Sequence, residues 1–153
     1  MDYNNFEELH QLIKSEISDK YIIASANIIY LEEIQQINCV VFITQFRDVL
    51  THLSNIYSFE NIIDSKEEIL IQIERAKGHL ERLCIDTFLK ITEILLKKIK
   101  IKTRGKEAIS LETQIALKVK ALRVTEKSVS FEEKCKGYRE LIKFQEAILT
   151  ERT

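Results

Sequence analysis

The chain predicts an all-α fold: an antiparallel helical bundle of about five helices, with one very long third helix. Three observations carry that expectation. The 153 residues include no proline and only three glycines, so the usual punctuation of strands and turns is scarce. Leucine, glutamate and lysine are abundant, which favours helices; the many isoleucines dissent, because β-branching costs helix propensity. Spacing decides the matter, since apolar residues recur three and four positions apart over long stretches. A single domain spanning 1–153 is long enough to bury a core.

Taken in order, the first helix is expected from about Asn5 into the region 22–30, with a break at Ser18-Asp19, where short polar side chains compete for backbone bonds. The second covers roughly Leu31 to Tyr57. Asn61 to Ser65 then interrupts the pattern, and Ser65-Lys66-Glu67-Glu68 has capping-box spacing ahead of the long third helix, which runs to about Lys100. The basic run from Lys97 to Lys106 suits a helix end and ends in a turn at Gly105. A fourth helix covers roughly Lys106 to Thr125. The fifth starts at Ser128 or Ser130, with Glu132 and Glu133 in its first turn, and ends near Leu149.

At 100° per residue, Cys39, Phe42, Phe46, Val49, Leu50, Leu53 and Tyr57 fall on one arc of the second helix. Thr44, Arg47, Asp48, Thr51, His52 and Asn55 fall on the other. On the third helix, Ile69, Ile73, Ala76, Leu80, Leu83, Phe88, Ile91 and Leu95 form a broad core face, and Ile71, Ile85, Leu89 and Leu96 a second strip. Two apolar faces need two partners, one being the core and the other the fifth helix or a second subunit; a homodimer is expected. Between the strips run Arg75, His79, Arg82 and Asp86, four ionisable groups in one line.

Formal net charge is −1 with 31% charged residues, which argues against a general nucleic-acid coat but permits a local basic cleft. Cys39, Cys84 and Cys135 are far apart and have no paired metal spacing, so they read as small apolar residues rather than disulfide or zinc ligands. No glycine-rich phosphate loop, serine elbow or paired metal-binding carboxylates stand out, and neither metal nor cofactor is expected. The amino terminus lacks the parts of a secretory signal and no stretch reaches about eighteen uncharged apolar residues. A cytoplasmic protein without a membrane partner is expected.

The chemistry-bearing pattern is Arg47-Asp48-Val49-Leu50-Thr51-His52. Arginine is a fixed cation and histidine exchanges a proton near neutral pH. In metal-free RNA cleavage, a histidine activates the 2′-hydroxyl and a cation stabilises the phosphorane-like transition state. Asp48 would orient either group and Thr51 would donate to a phosphate. Arg75, His79 and Arg82 make a phosphate-binding ridge, with Asp86 restraining Arg82 through an i,i+4 pair. The same residues also suit solvated, salt-linked helix faces. His10 reads as surface.

Arg47, four intervening residues and His52, with the polar Asp48 directly after the arginine, resemble the HEPN superfamily (higher eukaryotes and prokaryotes nucleotide-binding domains). The text from Arg75 to Asp86 is similar to a further helix of some bacterial members. The resemblance implies a helical bundle that dimerises so that two Arg/His pairs face one cleft. It implies a metal-independent endoribonuclease of toxin–antitoxin or phage-defence systems, with RNA as substrate and an antitoxin or defence-system partner. His52 would be the general base or acid, Arg47 the phosphate and transition-state group, and Asp48 the supporter. The alternative is a non-catalytic module for dimerisation or partner binding.

Overall fold

The computed structural model describes residues 3–35, 40–103, 105–124 and 129–151. Every regular element among them is an α-helix: α1 (Phe6–Gln35), α2 (Val40–Tyr57), α3 (Lys66–Lys102), α4 (Lys106–Val124) and α5 (Phe131–Thr150). The expected all-α bundle with a long third helix is what forms. The helices gather into two compact units, Met1–Thr87 and Phe88–Thr153, and α3 belongs to both. Cys39, Arg104 and Ser128 lie outside the described residues.

In the first unit, Asn5 caps α1: its side-chain oxygen accepts from the Glu8 backbone N at 2.9 Å, and Glu8 accepts in return from the Asn4 backbone N at 2.7 Å. The expected break at Ser18-Asp19 is absent, and α1 runs on past Leu31 to Gln35. The reason is a stripe of buried residues (Leu9, Ile13, Ile17, Lys20, Ala24, Asn27, Leu31) that repeats every three or four positions through the polar pair. Packing along the whole stripe overrides the local preference of serine and aspartate. Consequently the second helix begins at Val40 rather than near Leu31.

Cross-links give the helix directions. Glu16 pairs with Lys77 at 2.9 Å, the Cys84 thiol donates to the Lys20 carbonyl at 3.2 Å, and buried Asn27 donates to the Thr87 hydroxyl at 3.0 Å. These partners advance together, so α1 and α3 run parallel. The Glu16 bond raises the Lys77 pKa above its ordinary value. Its stabilising contribution is therefore present at neutral pH and lost only as pH climbs through that raised value. On α2, Gln45 meets Asp86 at 3.4 Å and His52 meets Gln72 at 2.7 Å, partners that recede as α2 advances; α2 is antiparallel to α3. Asn61 forms the turn between them, accepting from the Ile63 and Asp64 backbone N–H groups.

All eight residues of the expected α3 core face are buried. On α2 the expected arc needs correcting. Val49 and Ile56 are buried, whereas Leu50 is 64% exposed and Tyr57 54%. The inward line of α2 is rotated toward the His52 side, because His52 and Gln45 point at α3.

In the second unit, Gly105 takes φ +71° and turns the chain from α3 into α4. Ser130 and Glu133 form a reciprocal capping box on α5. Tyr138 stacks on Phe88 with ring centres 5.7 Å apart, buried Gln145 donates to the Thr92 carbonyl at 2.9 Å, and Ile99, Ile115, Leu141 and Ile148 form one apolar cluster. Thus α5 packs on the part of α3 that belongs to this unit, against Phe88 and Thr92. The basic run is tied down locally: Lys97 to Glu93, Lys100 to Glu112, and Lys102 to the Leu149 carbonyl.

The corrected α2 face is testable by urea unfolding. Ile56→Ala should cost about 2–5 kcal/mol, whereas Leu50→Ala should stay within about 0.5 kcal/mol. Equal losses would contradict the packing described.

Candidate functional site

The antiparallel register of α2 on α3 assembles a polar seam inside the first unit. His52 comes from the middle of α2. Gln72, Arg75, His79, Arg82 and Asp86 come from α3 at spacings of three, four, three and four, which place them on one face. Around this seam lies a cavity of about 430 Å³ lined by His52, Arg75, Gly78, His79 and Arg82. That volume lies within the range of small-ligand sites. Arg75, Gly78 and Arg82 are exposed and the two histidines half-buried, so the cavity opens to solvent.

Its centre is a pair of imidazoles. The His52 and His79 rings stack with centres 5.2 Å apart and planes 25° from parallel, a favoured offset arrangement. His52 Nδ1 lies 2.7 Å from Gln72 Oε1. An amide oxygen only accepts, so this contact is a hydrogen bond in the Nδ1–H tautomer, which leaves Nε2 for proton transfer. Gln72 is thereby placed to orient the ring. Motif reasoning passed it over, although it extends the Arg75-His79-Arg82 line by one step.

Two guanidiniums flank the pair. Among the described residues, neither Arg75 nor Arg82 has a carboxylate within ion-pair distance. The expected Arg82–Asp86 pair is therefore not made; Asp86 accepts from Gln45 Nε2 across the seam. Two uncompensated cations beside two imidazoles make an anion-binding surface, because guanidinium forks match phosphate oxygens.

The other candidates sit elsewhere. Five residues turn Arg47 about 140° around α2 from His52. Its side chain is 74% exposed, with Nη2 3.7 Å from Asp48 Oδ1, and neither residue lines the cavity. Thr51 is exposed, and its hydroxyl donates to the Arg47 carbonyl at 2.9 Å, a bond within its own helix. Of the residues singled out in sequence, the structure unites His52, Arg75, His79 and Arg82 and leaves Arg47, Asp48 and Thr51 apart. No group of three or more His, Cys, Asp or Glu side chains among the described residues could hold a metal ion, and none of the described helices is long and apolar enough to cross a membrane.

The tautomer is directly measurable from histidine ¹⁵N shifts. His52 should show an Nδ1–H ring in the wild-type protein and revert toward the Nε2–H form in Gln72→Leu. An Nε2–H ring in the wild type would remove Gln72 from its orienting role.

No protein family, curated protein or solved structure matches this chain.

Proposed function

We propose that the chain is a HEPN-like, metal-independent endoribonuclease of a toxin or phage-defence kind, with its chemistry centred on His52 and His79. One observation carries this reading: two stacked imidazoles, one of them in contact with Gln72, lie in an open cavity beside two arginines that have no acidic partner among the described residues.

The side chains supply a balanced transesterification. His52 Nε2 accepts the proton of a ribose 2′-hydroxyl as its oxygen attacks phosphorus. A protonated His79 gives its proton to the departing 5′-oxygen as the P–O5′ bond breaks. The products are a 2′,3′-cyclic phosphate and a 5′-hydroxyl. Arg75 and Arg82 hold the phosphate and stabilise the charge that develops on its oxygens. Arg47, about 140° from His52 around α2, and Asp48, which does not line the cavity, would join such a site from a second copy, in the homodimer the resemblance implies.

A second reading, the non-catalytic module, is favoured by a different cavity. About 580 Å³ in volume, it lies between α1 and α2 and is lined by Ile17, Ser18, Tyr21, Ile22, Phe46, Val49, Leu50 and Leu53. Ile22 and Leu50 are more than 60% exposed there, and contiguous apolar surface marks partner sites.

Cleavage of single-stranded RNA in the presence of EDTA separates the two. The nuclease reading expects turnover that ends in cyclic phosphate, with a loss of roughly a hundred- to ten-thousandfold in His52→Ala and His79→Ala. It expects a raised KM in Arg75→Ala and Arg82→Ala. No turnover, together with self-association abolished by Leu50→Asp, favours the module.

A further inference from the structure

The chain contains three glycines, and two have reasons within the fold. Gly105 adopts a positive φ that other residues resist. At Gly137 a Cβ would run into the Leu122 side chain, so close α4–α5 packing requires its absence. Gly78 has neither reason. It sits in the middle of a 37-residue helix, where glycine weakens the helix relative to alanine. A Cβ built on it would meet no atom of the chain within 4 Å. Yet it lines the cavity, one position before His79, three after Arg75 and four before Arg82.

We infer that Gly78 is the floor of a substrate subsite: a notch that admits one sugar ring of a single-stranded nucleic acid against the helix, with the phosphates on either side held by Arg75 and Arg82. The helix already uses the backbone N–H and C=O groups at this point, so the notch offers close approach rather than hydrogen bonds. A flat, uncharged moiety suits it. The arginines are seven positions apart, roughly 10 Å along the axis, and each is a long side chain that can swing toward the notch. Two cations separated by bare Gly78 backbone beside the His79 ring match an anion–ring–anion repeat better than a single phosphate. A sugar seated there carries its hydroxyls beside His79 and the stacked His52 ring. The inference rests on the nuclease reading for chemistry at the 2′-hydroxyl, but not for binding.

The test uses Gly78→Ala and Gly78→Leu in the full chain. It measures thermal unfolding, KM and kcat on single-stranded RNA in EDTA, and Kd for a DNA oligonucleotide of the same sequence, which binds without offering a 2′-hydroxyl. Gly78→Ala should raise Tm by about 2–4 °C, while weakening oligonucleotide binding and raising KM by roughly tenfold or more. Gly78→Leu should weaken binding further. Wild-type affinity in both variants overturns the subsite even if RNA is cut. Loss of DNA binding in the variants, with no RNA cleavage by the wild type, keeps the subsite and removes the nuclease reading. A wild-type chain that neither binds nor cuts removes both.

Discussion

The buried apolar line of α3 is the constraint from which the rest follows. From Ile69 to Ile99 this helix supplies core residues to both compact units. A helix that apolar cannot be covered by one neighbour. In the first unit α1 runs parallel to it and α2 antiparallel; in the second, α5 brings Tyr138 and Gln145 onto it. Polar groups caught inside tie the helices together, Asn27 to Thr87 and the Gln145 amide nitrogen to the Thr92 carbonyl, because an unsatisfied buried group would cost more than the bond contributes.

The polar seam exists because this coverage is incomplete. Where α2 crosses the Arg75–Asp86 side of α3, packing gives way to hydrogen bonds, Gln45 to Asp86 and His52 to Gln72. Those contacts fix the register, and the register puts the His52 ring over His79. A shift of α2 by one residue would turn His52 about 100° away from its partner. The site is thus a consequence of helix packing, with the buried Val49 and Ile56 anchoring the same helix.

Much of this was legible in the amino-acid order. The periodic core face of α3 is buried residue for residue, and the Arg75-His79-Arg82 line does border a cavity. What escaped was decided by tertiary context. The Ser18-Asp19 pair sits on the outward side of a stripe that stays buried on both flanks, so its local preference never prevails. Leu50 is apolar yet exposed, because polar contacts to α3 rotate α2 toward His52. Arg47 and His52 are neighbours in the chain but not on the helix surface; His52 and His79 are distant in the chain and stacked in space. Ser130, one of the two starts the sequence offered for the fifth helix, carries the complete capping box. Gln72 was hidden for a simpler reason: a glutamine announces no chemistry until its partner is seen.

The claim on which the functional account stands is that His52 and His79 act as one unit. A double-mutant cycle on kcat/KM for RNA cleavage in EDTA addresses it most directly. Residues that share one proton-transfer path are strongly non-additive. The account predicts that His52→Ala/His79→Ala is no slower than the slower single variant. Losses that multiply, or single variants as active as the wild type, would contradict it.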